Sequence, residues 1–134
     1  MTHFAVNWLA VILATVGSFA FGAVWYMVLA NPWLAAIGKS KDEIDSKDVT
    51  PFIWSAIVLF VIAYFIALLT PAVMGETNVA NGLLLGAHMW LGFILTSMIL
   101  NHRYEGRSWN LTLINGGYLL VVCLIDGLVV GLFG

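Results

Sequence analysis

The chain has 134 residues and a formal net charge of −2, with five Lys and Arg residues against seven Asp and Glu. Hydrophobic residues make up 62% of it and charged residues 9%, whereas a soluble domain has roughly 25% charged residues. In water such a chain would expose large apolar patches, so the composition favours a lipid environment. Five basic residues are too few for a nucleic-acid groove, and the single cysteine, Cys123, excludes an intrachain disulfide or a cysteine metal cluster.

Four apolar segments are long enough to cross roughly 30 Å of hydrocarbon, which takes about 20 helical residues. They cover residues 7–30, 51–74, 79–101 and 109–133. Backbone groups find no water in the bilayer, so these segments must be helices. Each is too long and too uniformly apolar for a strand of a membrane barrel. The predicted fold is an all-α integral membrane domain over residues 1–134, with four transmembrane helices in an antiparallel bundle.

The first segment has a small residue at every fourth position, which places these residues on one helix face. They are Ala10, Ala14, Ser18 and Gly22. Small faces let helices approach closely, and packing drives helix association in lipid. A cleavable signal peptide is the alternative, but no Lys or Arg precedes Lys39 and the apolar run is too long. We therefore expect a retained helix.

The connection over residues 31–50 is the sizeable polar region of the chain. Pro32 is expected to end the first helix. The apolar residues that follow predict a short helix along the membrane interface. They are Trp33, Leu34 and Ile37. Ser40 with Glu43 three residues later fits a capping box for a small helix in the charged part of this loop.

The third and fourth segments carry glycines at four-residue spacing, which again indicates close helix contacts. These are Gly82 and Gly86 in the third segment and Gly127 and Gly131 in the fourth. Together with the face of the first segment, they are more than one compact bundle obviously needs. We therefore expect a homo-oligomer.

A compact polar turn over residues 101–107 joins the third and fourth segments. Its candidate functional residues are Arg103, Glu105, Gly106 and Arg107. Gly106 is expected to supply a positive φ angle, and the arginines could pair with Glu105 or with lipid phosphates. A turn that only anchors topology is the simpler alternative to a site for a soluble partner or an anionic lipid.

All basic residues fall on one side of the predicted membrane. They are Lys39, Lys41, Lys47, Arg103 and Arg107. The positive-inside rule then places the first and third loops in the cytoplasm and both termini outside. The expected location is the cytoplasmic (inner) membrane of a bacterium.

Short motifs mark the ends and centres of these segments. They are Asn7-Trp8, Trp25-Tyr26, Trp90-Leu91-Gly92-Phe93, Tyr104-Glu105-Gly106-Arg107 and Asn115-Gly116-Gly117-Tyr118. Their order and spacing resemble the bacterial membrane family catalogued as domain of unknown function 1761, over residues 7 to 131. The resemblance implies a small four-helix membrane protein and carries over no activity. The family pattern does not include His88 or Asp126.

Asp126 is the charged residue inside a predicted span. A carboxylate costs about 2.5–3.5 kcal/mol at the bilayer centre, so such a residue is a functional candidate by default. His88, in the antiparallel third segment, falls at a similar depth and could pair with it. Such a pair could relay protons, bind a cation, or only satisfy two buried polar groups. Alternatively, Asp126 reaches water at the nearer membrane surface.

Asn115, Tyr118 and Asp126 share one face of the fourth segment, together with Val122. A polar stripe of this kind lines a water-filled path or supplies hydrogen bonds between helices. Too few His, Cys or acidic residues share a ligand spacing to predict a metal site.

No pattern of nucleophile, base or cofactor-binding residues is present, so the sequence predicts neither an enzyme nor a cofactor. Two functions remain. The first is a structural or accessory membrane protein that self-assembles or joins a larger membrane complex. The second is a small transporter or channel, with a path at an oligomer interface lined by His88 and Asp126. The lipid bilayer is the expected surrounding and nucleic acid is not an expected partner.

Overall fold

A computed structural model of the protein describes residues 2–45 and 47–134. Its α-helices are α1 (Trp8–Val28), α2 (Ala30–Ile37), α3 (Thr50–Met74), α4 (Val79–Met89), α5 (Thr96–Tyr104) and α6 (Trp109–Phe133). A 3₁₀ turn covers Lys41–Glu43, and a π-helical turn over Trp90–Leu95 joins α4 to α5 without a break. The described part of the chain contains no strand.

Four helical stretches are long and apolar enough to cross a membrane. They are α1, α3, the continuous stretch Val79–Tyr104, and α6, with mean hydropathy between 1.9 and 2.7. The predicted all-α fold with four spanning segments is therefore confirmed. One end of the bundle gathers residues 2–7, 75–78 and 134, and we call it the termini end. The other carries the two loops with all five basic residues, and we call it the basic end.

Polar side chains begin the spanning helices. Asn7 Oδ1 accepts hydrogen bonds from the backbone N–H groups of Leu9 and Ala10, at 3.1 and 3.3 Å. Asn78 caps α4 and Ser108 caps α6 in the same way. These caps satisfy backbone donors that have no partner within the helix. Pro51 opens α3, where its missing N–H costs nothing.

The first loop contains the predicted short helix, but Pro32 does not end α1. That helix stops at Val28, and α2 begins at Ala30, so Pro32 lies in the first turn of α2, a position that tolerates proline. Gly38 ends α2 with a φ of 73°. Beyond it, Glu43 Oε1 accepts from the backbone N–H and the hydroxyl of Ser40, both at 3.1 Å.

Helix α6 lies at the centre of the bundle and packs against α1, α3 and α4. Its backbone touches that of α4, because a Cβ atom on either Gly82 or Gly127 would collide with the carbonyl group of the other. Likewise, a Cβ on Gly86 would collide with the carbonyl of Cys123, and one on Gly131 with the backbone at Val79. Glycine at these positions is what allows the two helices to meet this closely.

The small face of α1 is also used inside the subunit. Ala10, Ala14, Ser18 and Gly22 are all buried, and Ala14 packs in one apolar cluster with Ala63 of α3 and Val130 of α6. The small faces of the first, third and fourth spans are therefore occupied within one bundle. Because these small-residue faces are used for packing within one subunit, they no longer support the expectation of a homo-oligomer.

The third span differs from its predicted form in two ways. It continues to Tyr104 rather than ending at 101, because His102 and Arg103 stay helical while bonding to Thr112 of α6. Its centre is a π-helical turn that the sequence did not predict. That turn starts at Trp90, whose indole N–H donates to the carbonyl of Gly116 at 2.9 Å. Such wide turns redirect side chains at a helix surface.

Candidate functional site

Among the described residues, Asp126 is the one charged residue that is buried inside the bundle, with an exposed fraction of 0%. Its Oδ1 atom accepts a hydrogen bond from the hydroxyl of Ser18 at 3.1 Å. Its Oδ2 atom is buried and has no hydrogen-bond partner among the described residues. An unpartnered buried oxygen is costly, so this carboxyl is the strongest candidate for a site with a role beyond packing.

Tyr118 closes the site towards the basic end. Its hydroxyl donates to the backbone carbonyl of Ser18 at 3.3 Å. The same hydroxyl lies against Gly22, where a Cβ atom would be only 2.7 Å from it. Gly22 therefore makes room for the tyrosine, whose hydroxyl fills the space between α1 and α6 at this level.

The polar face predicted on the fourth span does turn towards α1. Asn115 Oδ1 accepts from the Tyr26 hydroxyl at 2.7 Å, and the rings of Tyr26 and Tyr118 meet edge to face with centroids 5.4 Å apart. Val122, one turn from Asp126, is fully buried. This face therefore forms a row of hydrogen bonds between two helices, and Asp126 stands at its end with one oxygen free.

His88 is not part of this site. It is exposed on α4, and its Nδ1 atom lies 2.6 Å from the carbonyl of Leu84 in its own helix. Because α4 meets α6 through Gly82 and Gly86, His88 falls on the outward face. The hypothesis that His88 and Asp126 pair is therefore wrong within one subunit, since equal depth does not fix the face on which a residue lies.

A cavity of about 90 Å³ opens at the termini end. Its polar lining residues are Asn7 and Thr77, and its apolar ones include Ala10, Ala67 and Val130. Asn7 Nδ2 also donates to the carbonyl of Phe133, which ties the start of α1 to the end of α6. Asp126 precedes Val130 by one helical turn in α6, so it lies about 6 Å deeper in the bundle than Val130.

The charged turn is built around Gly106, which has the expected positive φ of 67°. The carboxylate of Glu105 lies 3.5 Å from Nε of Arg107, and both side chains are about half exposed. Arg103 instead turns inwards. Its guanidinium stacks 3.7 Å from the centroid of the Trp109 ring, and it donates to the carbonyl of Arg107 at 2.9 Å.

Several contacts escaped sequence reasoning. The indole N–H of Trp25 donates to the carbonyl of Ile114 at 3.0 Å, and its ring covers Gly117. The neighbouring carbonyl of Gly116 accepts from Trp90 on the opposite side. The adjacent glycines in α6 were the available signal, since ring systems can lie flat on a helix only where side chains are missing.

Side chains that could bind a metal do not gather anywhere in residues 2–45 and 47–134, where no three His, Cys, Asp or Glu residues converge.

Four of the five motifs that resemble a known family contribute side chains to contacts between helices, and the fifth, Tyr104-Glu105-Gly106-Arg107, forms the charged turn. Asn7, Trp25, Trp90, Asn115 and Tyr118 each bond to another helix. A family model described as protein of unknown function DUF1761 matches residues 9–131. The chain belongs to the DUF1761 family. This DUF1761 protein has no match among curated proteins or solved structures.

Proposed function

We propose that this protein is a non-enzymatic accessory protein of the cytoplasmic membrane, which acts through lateral contact with further copies of itself or with a larger membrane complex. The observation that supports this is a polar stripe on the outward face of the third span. His88, Gly92 and Thr96 follow at four-residue spacing, and all three are exposed. A histidine facing hydrocarbon is unfavourable unless another helix covers it.

The stripe has the features that a partner helix requires. Gly92 has open space where its Cβ would be, so another backbone can approach closely. Thr96 donates to the carbonyl of Gly92 at 2.9 Å and is already satisfied. His88 is not, because Leu84 O can only accept and so engages Nδ1–H, which leaves Nε2 as an acceptor. A partner that supplies a hydrogen-bond donor at this depth would complete the stripe.

Photo-crosslinking in the native membrane tests this proposal. Benzoylphenylalanine replaces Phe93, which is 68% exposed beside Gly92. In a control at the same depth it replaces Phe60 on α3, which is 37% exposed and stacks on Trp8, and adducts within one chain are not counted. Both residues lie equally far along their helices from the termini end. We expect protein adducts, to another copy of the chain or to a second protein, from position 93 and lipid adducts from position 60. Lipid adducts alone at both positions would overturn the proposal.

The alternative function, a transporter or channel along an oligomer interface, has weaker support. His88 lies on the subunit surface whereas Asp126 is fully buried, so one interfacial path cannot be lined by both. We expect negligible flux of protons and small cations into proteoliposomes, equal for wild type, His88→Ala and Asp126→Asn. A flux well above that of empty liposomes, lost in either variant, would favour the transporter instead.

We further propose that the basic end faces the cytoplasm, in line with the positive-inside rule. A membrane-impermeant amine reagent should label Lys39, Lys41 and Lys47 in inverted vesicles and spare them in right-side-out ones. All three are exposed in the first loop, so the absence of labelling cannot come from burial. The opposite pattern would reverse the orientation.

A further inference from the structure

The carboxyl group of Asp126 has too few partners to remain a stable anion. One hydrogen bond, from Ser18, reaches Oδ1, and Oδ2 has none among the described residues. Burying a carboxylate requires a counter-charge or several donors, whereas a neutral carboxylic acid needs neither. The free oxygen is the atom on which a proton would sit, and the protonated group is then a donor.

Among the described residues, no basic side chain bonds to the carboxyl. The titratable side chains of the helices packed around Asp126 are Tyr118 and Cys123 on α6, Tyr26 on α1, Tyr64 on α3 and His88 on α4. Of these, His88 lies on the outward face, and Tyr64 accepts from Phe4 N–H at the termini end. His102 and Arg103 lie beyond Tyr118, beside Thr112. All Lys and Arg residues belong to the basic end.

The two sides of the carboxyl are not equivalent. Towards the basic end, the Tyr118 hydroxyl is hydrogen-bonded to Ser18 and held tightly against Gly22. Towards the termini end, an apolar layer that includes Ala14, Ala63 and Val130 begins one turn from Asp126, and Val130 also lines the cavity. The fully buried Val11 belongs to the same layer, which is about one helical turn thick. The cavity of about 90 Å³ has room for several waters, since one needs about 10–15 Å³ by the same measure.

We propose that Asp126 is a proton-binding site that exchanges with the aqueous phase at the termini end, through the apolar layer of Ala14, Ala63 and Val130. When cavity water enters this layer, a hydronium ion that reaches Oδ2 gives it a proton and becomes water, and the reverse step returns the proton to water. A second cavity, of about 260 Å³, lies beside Tyr118 and Leu119, but the Tyr118 hydroxyl is hydrogen-bonded to Ser18 and fills the space at Gly22. We therefore expect proton exchange from the termini end.

Infrared difference spectroscopy on the full chain in liposomes tests the first half of this proposal. Protonated carboxylic acids have a C=O stretching band that carboxylates lack. We expect such a band at neutral pH in the wild type and its loss in Asp126→Asn. Ser18→Ala should shift the band, because it removes the hydrogen bond to Oδ1; this assigns the band even if Asp126→Asn does not insert. A spectrum without the band at neutral pH would overturn the proposal.

Hydrogen–deuterium exchange of the same band tests the route. Val130 and Val122 flank Asp126 by one turn on either side, and both are buried, with exposed fractions of 2% and 0%. Each loses the same volume on replacement by Ala, so they form a matched pair. We expect several-fold faster exchange in Val130→Ala than in wild type, and wild-type exchange in Val122→Ala. Equal acceleration in both variants, or no exchange in any protein, would refute access from the termini end.

Discussion

Arg103 shows at the residue scale how a basic side chain near a membrane surface can be structural. Its guanidinium covers the Trp109 ring and bonds to Arg107 O and Thr112 Oγ1. A planar guanidinium can stack and donate at the same time, and an ammonium group cannot. The sequence identified Arg103 as a topology or lipid-binding residue because charge is visible in a sequence, whereas the direction in which a long side chain turns is not.

Arg103→Lys should therefore destabilise the hairpin between α5 and α6, although it keeps the charge. Loss of the stacking and of a charged hydrogen bond amounts to about 1–3 kcal/mol. Arg107→Lys is the control, because Arg107 is exposed and its pair with Glu105 is worth little. Thermal unfolding in detergent measures both variants, and equal melting temperatures for the two would contradict this role.

The turn at Ser40 should depend on pH. The hydrogen bonds from the Ser40 backbone and hydroxyl lower the pKa of the Glu43 carboxyl from its usual 4.5. A lowered pKa in the folded state means that the turn is most stable above pH 4.5 and weakens as the pH falls below that value. The protection of the Ser40 amide from hydrogen exchange, relative to an unstructured chain at the same pH, should fall on acidification. Glu43→Gln should remove most of this pH dependence.

At the element scale, the contact between α4 and α6 fixes the bundle, because two backbones meet directly there. Gly82→Ala places a methyl group against the Gly127 carbonyl, and the helices must separate. Such overpacking costs about 1–3 kcal/mol. Gly17→Ala on α1 is the control, since a Cβ there would make only an ordinary contact, 3.5 Å from Ile125, and alanine raises helix propensity by about 1 kcal/mol. Unfolding free energies in mixed micelles should fall for Gly82→Ala and hold or rise for Gly17→Ala.

Hydropathy and the small-residue spacing predicted the spans and the faces that pack. They could not orient the rest of each helix, because a helix in lipid is apolar on all sides and has no amphipathic pattern to read. The residues of the π-helical turn that starts at Trp90 include no proline and no charged residue, so the sequence gives no signal for it. For the same reason the outward position of His88 and the bond between Ser18 and Asp126 were not predictable from depth alone.

In the whole molecule, the polar residues of the interior and those of the surface have different surroundings. Inside, hydroxyl and amide groups bond between helices, and Asp126 alone among the described acids is enclosed. Outside, the third span presents His88 and Gly92 to its surroundings. One bundle can therefore hold the proposed protonation site within it and offer the proposed contact surface on its outside, and the two proposals can be tested separately.

The hydrogen bond between Asn7 and Phe133 also makes a circular permutation of the chain feasible. Because the start of α1 lies beside the end of α6, a short peptide could join them. New ends could then be opened at the exposed turn around Gly106, since exposed turns tolerate such cuts. The permuted chain would keep the contacts among the four spans but would insert α6, the last span, first. It would show whether the order of insertion matters for folding.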